Sequence, residues 1–381
     1  MSAHIPVTVY NVVDTDQSPP PATGGAVTGF FHRVPPGLFA SVMGTGIVAT
    51  SAARFDWVSP LFREFGTAVW LLAATWLIVL SIGLVGEWIL HRRDAFRASR
   101  IATTLPFYGT VPMAVLTVGA GTLLYGPAVF GQSSQWIAAS LWTVGTILGV
   151  VTAVGVPVAA VLSSDGLEDM GLPCWILPVV PPMVSATTGA GLLGYIDSEP
   201  MRTAMQVLCY GLFGMALIAA LMTITMIYHR LLHAGIPVAG TVPTVWIPLG
   251  VIGQSIAAAN LLGVGNGSAT VAGVIVGPVL RTVGIGFGVV MLGFALFWIL
   301  FATFLTARGT ASGTPFSLSW WSLVFPIGAT TLGLSALGEA ASSRALELVA
   351  LGLYGVLVVV WVVVACRSVA GRHLCWWRGA S

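Results

Sequence analysis

Residues 319–338 read SWWSLVFPIGATTLGLSALG, and residues 345–366 read ALELVALGLYGVLVVVWVVVAC. Each is long enough to cross about 30 Å of hydrocarbon, which takes roughly 20 helical residues. The two differ in kind. The first is interrupted by Pro326 and carries Thr330, Thr331 and several glycines; the second is mostly Leu and Val. Lipid cannot satisfy the backbone groups that a proline frees, so the first needs protein or water around it, while the second can face lipid.

The same contrast repeats along the chain. Ten apolar segments span about 34–53, 66–90, 104–124, 135–162, 174–195, 203–228, 243–263, 282–306, 319–338 and 345–366. The odd-numbered ones carry proline and small polar residues. The first opens at Pro35 and Pro36 and includes Phe39, Ser41 and Met43-Gly44-Thr45-Gly46-Ile47. The third has Pro106, Thr110, Pro112 and Thr117, and the fifth Pro178, Pro181, Pro182, Ser185, Thr187 and Thr188. The seventh has Pro248, Gln254, Ser255 and Asn260. The even-numbered segments are smoother, apart from Pro157. The expected fold is therefore all-α and membrane-embedded: five helical hairpins, with the odd helices forming an inner ring around an axial channel. The Gly-, Ser- and Val-rich stretch 264–281 reads as a re-entrant piece or an extended helix start.

Composition agrees. The chain has 381 residues, 56% hydrophobic and only 7% charged, against about 25% charged in soluble domains. All 15 basic residues are Arg, the net charge is +2, and no basic block suits nucleic acid. Residues 1–30 lack the features of a signal peptide and read as a disordered cytoplasmic tail. The transport domain is expected over 31–368, with a short tail over 369–381. With the N-terminus inside, ten arginines fall on the cytoplasmic side and five (Arg54, Arg63, Arg202, Arg281, Arg344) on the other, so both termini are expected in the cytoplasm.

The predicted mid-membrane zone holds almost nothing that titrates. The six histidines lie in the N-terminal tail or near helix ends, which argues against haem ligation. No chain of acids suggests a proton relay, and no GxSxG serine has a histidine at its depth. Glu87 is expected to snorkel or to pair with Arg92 or Arg93. The four cysteines have no metal-like spacing, and no cofactor is implied. Arg281 stands either at the rim of the eighth helix or at a pore mouth as an anion attractor. Gly44 and Gly46 either pack helices closely or clear room for an ion. Phe325, before Pro326, is either core packing or a plug at a bend. A neutral path of Ser, Thr, Gly and aromatic residues suits a small anion better than a divalent cation, which needs an acidic ring.

Pro36 to Ile47, Leu177 to Pro182, Pro248 to Ser255 and Trp320 to Gly328 together resemble the signature segments of the tellurite-resistance/dicarboxylate transporter family, in order, over roughly residues 30 to 370. That family includes malate carriers, sulfite efflux pumps, tellurite-resistance proteins and guard-cell anion channels. The resemblance implies ten helices around a central pore, a homotrimer with one pore per subunit in the plasma membrane, and a phenylalanine matching Phe325 that occludes the pore. The segment around Gln254 looks closer to the dicarboxylate and sulfite branches. The path residues expected on this reading are Phe39, Met43, Gly44, Thr45, Gly46, Pro112, Pro178, Pro182, Ser185, Pro248, Gln254, Asn260, Pro326 and Thr330.

Overall fold

The structure, a computed structural model, describes residues 34–99, 104–162, 171–237, 239–264, 270–271, 274–275, 277–311, 313 and 315–375. The expected N-terminal tail lies outside the described residues. Among them, nine straight helical segments are long and apolar enough to cross a membrane, and a tenth span is bent by 46° between Pro173–Val179 and Pro181–Tyr195.

The ten main helices are α1 Phe39–Ala52, α2 Leu61–Leu90, α3 Thr110–Tyr125, α4 Ser133–Leu162, α5 Pro181–Leu192, α6 Glu199–Ala234, α7 Ile247–Val264, α8 Gly277–Ala311, α9 Trp321–Ala340 and α10 Arg344–Cys375. The even helices run longer than their apolar cores suggest; α10 continues to Cys375, into the stretch read as a tail from residue 369. Between α7 and α8, Thr270–Val271 and Val274–Ile275 form a two-residue antiparallel pair, and α8 begins at Gly277, inside the ambiguous stretch.

Each odd helix is entered through a 3₁₀ segment: Pro36–Leu38, Leu105–Gly109, Pro173–Val179, Ala239–Trp246 and Leu318–Trp320. Proline suits such starts, because its missing N–H would have no partner in a first turn anyway. Pro112 and Pro248 also fall in the first turns of α3 and α7. The prolines thus begin helices more than they break them. Pro326, inside α9, and the run Pro178, Pro181 and Pro182, which bends the fifth span, are the true interruptions.

Each odd helix packs on the even helix that follows it. The odd helices also pack in sequence order, α1 on α3, α3 on α5, α5 on α7 and α7 on α9, and α9 returns to α1. Over an 18-residue apolar stretch of each span, between 67% and 89% of the residues are buried in the four straight odd spans, against 22% to 33% in the even spans. Side chains such as Ile89, Val161 and Val290 leave the even helices exposed and apolar, as a lipid-facing surface requires.

Glycine sets the seam between α7 and α9. A Cβ on Gly253 of α7 would lie 2.5 Å from the backbone of Ala329 and Thr330 on α9, and one on Gly333 of α9 would lie 2.5 Å from the Gly253 carbonyl. Only hydrogen fits at either position, so the two backbones touch, as small-residue helix pairs do in membranes.

The outer ring is fastened inward by aromatic donors. The indole N–H groups of Trp76 (α2), Trp142 (α4), Trp298 (α8) and Trp361 (α10) donate to Ser41 Oγ, the Ser185 carbonyl, the Val245 carbonyl and Thr45 Oγ1, at 2.8 to 3.1 Å. Buried indoles need such partners. Polar atoms on the inner helices supply them without exposing the outer helices' own backbones.

Candidate functional site

A cavity of about 270 Å³ lies where the five odd helices begin. Each contributes a pair of residues three apart: Ala40 and Met43, Thr110 and Met113, Leu177 and Val180, Ile247 and Gly250, Ser322 and Phe325. Spacing of three places both members on one helical face, so the five faces converge on one axis. Among the described residues, no side chain lining the cavity is charged. The N-terminal turns of five helices surround it, and their dipoles make such an end favourable to negative charge, by about 0.3–1 kcal/mol each at exposed sites.

Four hydroxyls in and near this wall are already committed as donors. Thr110 donates to the Pro36 carbonyl at 2.7 Å, Ser319 to Gly240 at 2.7 Å, Ser322 to Pro243 at 2.8 Å and Thr244 to Thr241 at 2.7 Å. They present lone pairs, not protons, to whatever enters.

Phe325, 3% exposed, is part of the cavity wall. Its ring stands over Gly250: Cδ1 and Cε1 lie 3.4 and 3.6 Å from where a Cβ on that glycine would be. Pro326 is beside it in the lining.

Of the residues singled out from the sequence, Met43, Phe325 and Pro326 line this cavity. The others are placed elsewhere. Gly44 and Gly46 sit at helix contacts, their would-be Cβ atoms 3.0 Å from Trp321 on α9 and 2.9 Å from Thr117 on α3. Thr45 and Ser185 turn polar atoms to the outer ring, as above. Phe39, Pro112, Pro178, Pro182 and Pro248 are buried in helix starts or packing. Asn260 gives Nδ2 to the Ile256 carbonyl at 2.8 Å and lies against Gly288 of α8. Thr330 donates to the Pro326 carbonyl at 2.9 Å. Gln254 is 1% exposed, one turn beyond Gly250.

Arg281 is bound at the opposite end of the ring. Its Nε and Nη2 donate to the Ala340 carbonyl at 3.0 and 2.6 Å, capping α9. The other arginines at that end are similarly held. Arg54 bridges Ser335 Oγ at 3.2 Å and Glu339; Arg63 meets Asp56 at 3.2 Å; Arg202 holds the Ile196 carbonyl; Arg344 pairs with Glu347 at 2.8 Å and lies over Trp57. At the cavity end, Glu87 accepts the Val34 N–H at 3.1 Å in place of the expected partnership with Arg92 or Arg93.

The five lining pairs themselves were not picked out from sequence apart from Met43 and Phe325. Their signal is weak: an i, i+3 stripe within helices that are apolar or small on every side.

A model of the voltage-dependent anion channel family matches residues 33–369. The chain belongs to that family. It is the family whose signature segments the sequence resembles, and its members transport anions. An uncharacterized transporter of Methanocaldococcus jannaschii is 25% identical over 335 residues, covering 87% of this chain and 92% of the relative. The sulfite efflux pump SSU1 of Trichophyton rubrum is 23% identical over 347 residues, covering 89% and 90%. That of Arthroderma otae is 24% identical over 349 residues with the same coverage. The chain is thus a multi-pass membrane protein of an anion-transporting family, and transporters or channels, not enzymes, are what it is similar to.

Proposed function

We propose that the chain moves a small oxyanion, sulfite foremost, along the axis enclosed by its odd helices, with Phe325 as the movable plug. The observation that carries the reading is a cavity with no charged side chain in its wall among the described residues, rimmed by five helix N-termini, with the Phe325 ring beside Gly250 in that wall. An anion gains from the helix ends without meeting a fixed cation that would hold it too tightly to leave. The relatives named as sulfite efflux pumps support sulfite as the first substrate to test. The cavity faces the cytoplasm on the arginine count, the relatives' names support outward movement across the plasma membrane, and the family resemblance supports a homotrimer with one path per subunit.

The test is flux into proteoliposomes of sulfite, malate, nitrate and chloride, comparing wild type with Phe325→Ala. A large rise in flux with weaker selectivity supports the plug. Unchanged flux for all four anions would remove Phe325 from the path.

A further inference from the structure

We propose that the carboxamide of Gln254 is the recognition group of this path, selecting oxyanions that still carry an acidic O–H over anions that have none; this rests on the transport reading above. The lining pairs on the five odd helices predict the next layer. Four residues beyond the second member of each pair, the same faces carry Ile47, Thr117, Val184, Gln254 and Ala329, about 6 Å deeper by helical rise. All five are buried, none more than 3% exposed. Phe325 lines the cavity one turn before Ala329 of this layer.

Within the layer, Thr117 gives its hydroxyl proton to the Met113 carbonyl on its own helix. Ile47, Val184 and Ala329 are apolar. Gln254 alone has polar atoms to spare. Its Oε1 is buried with no hydrogen-bond partner among the described residues. Its backbone, by contrast, is held, since Thr187 Oγ1 lies 3.4 Å from the Gln254 carbonyl across the α5–α7 seam. A buried amide left without partners is costly, by about 1–3 kcal/mol per unsatisfied group, and a group of that kind calls for an explanation.

A visiting ligand supplies one. A carboxamide offers a donor and an acceptor side by side. The complementary ligand has an acceptor oxygen beside an O–H: the N–H donates to the oxygen, and the O–H donates to Oε1. A hydrogen dicarboxylate and the hydroxyl form of bisulfite both have this pattern; nitrate and chloride lack the O–H. Sites built to pair both halves of a polar ligand reject analogues missing one half, because their own groups are then left unpaired. The surrounding hydroxyls cannot substitute, since their protons are already given to carbonyls.

The experiment uses the full chain in proteoliposomes with the plug removed by Phe325→Ala, with and without Gln254→Met, a substitution that nearly preserves shape and deletes both polar atoms. Bisulfite and nitrate flux are measured on the same preparations. The expected result is a fall of about tenfold or more in the bisulfite-to-nitrate ratio, while nitrate still passes. The ratio is also expected to recover partly with Gln254→Asn, which keeps the amide. An opened path with an unchanged ratio overturns the assignment alone. Equal loss of both anions marks Gln254 as packing and overturns it as well. No gain from Phe325→Ala for any anion overturns the transport axis and this assignment with it.

Discussion

The ring of Phe325 rests where Gly250 has no side chain, with Cδ1 3.4 Å from the position a Cβ would take. That distance is ordinary van der Waals contact, so alanine at 250 fits the closed arrangement without strain but walls in the ring. Gly250→Ala is expected to leave folding intact and to slow flux several-fold, and Phe325→Ala on the same chain is expected to relieve the block. Flux in the single and double variants checks this; a slow double variant would place the obstruction elsewhere.

Gly253 lies one turn of α7 away from that contact in character as well as in position. A Cβ there would meet the backbone of Ala329 and Thr330 at 2.5 Å, and backbone cannot step aside as a side-chain tip can. Gly253→Ala is expected to lower stability by about 1–3 kcal/mol, the usual cost of overpacking. Gly286→Ala on α8, where nothing lies within 4 Å, is expected to be near neutral. Thermal unfolding of the two variants in detergent makes the comparison.

Trp361 and Thr45 join the last helix to the first through a 3.1 Å hydrogen bond. A double-mutant cycle with Trp361→Phe and Thr45→Val is expected to give a coupling of about 0.6 kcal/mol, and at most about 1.7, as for polar contacts in other membrane proteins. The unfolding midpoint is the readout. Flux per folded molecule is expected to stay constant, because Thr45 faces the outer ring.

Arg281 caps α9 through the Ala340 carbonyl. Arg281→Gln is therefore expected to cost stability, about 1.5–3 kcal/mol for loss of a charge-assisted bond. The anion concentration at half-maximal flux should not move. A weakened apparent affinity at unchanged stability would restore the attractor role.

With no titratable side chain in the cavity lining among the described residues, pH is expected to act through the substrate. If the singly charged form is the one that crosses, flux at fixed total concentration should fall as pH rises through the substrate's second dissociation. Sulfite and malate curves should then be displaced from each other by the difference between their own pKa values. A shared inflection for both would reveal a protein group.

The ring was legible in the sequence because lipid enforces it: Pro and Thr in segments such as 319–338 cannot be left facing hydrocarbon, whereas 345–366 can. The site was legible only in part. Thr45 and Ser185 look like path residues, yet the Thr45 hydroxyl oxygen receives the indole N–H of Trp361, and Ser185 gives its hydroxyl to the Pro181 carbonyl while its own carbonyl receives the indole N–H of Trp142. The sequence contains both partners without stating which face of the helix each takes. Gly44 and Gly46 mislead for a related reason, since a missing side chain serves a passing ion and a neighbouring helix equally well. Phe325 and Gly250 become meaningful only as a pair.

The hairpin order of the fold bears on how the protein is made. In each of the four hairpins whose two spans are both straight, the outer helix is the more apolar and emerges second. Each polar helix therefore reaches the bilayer just ahead of the partner that shields it, and contacts up to α9 form between segments close in synthesis. Closure of α9 and α10 onto α1 is the exception, joining Trp361 to Thr45 and Tyr354 to the Val48 carbonyl. Until the ribosome has delivered that final hairpin, the polar flank of α1 has no permanent cover, and this is the interval in which a membrane chaperone would have something to hold.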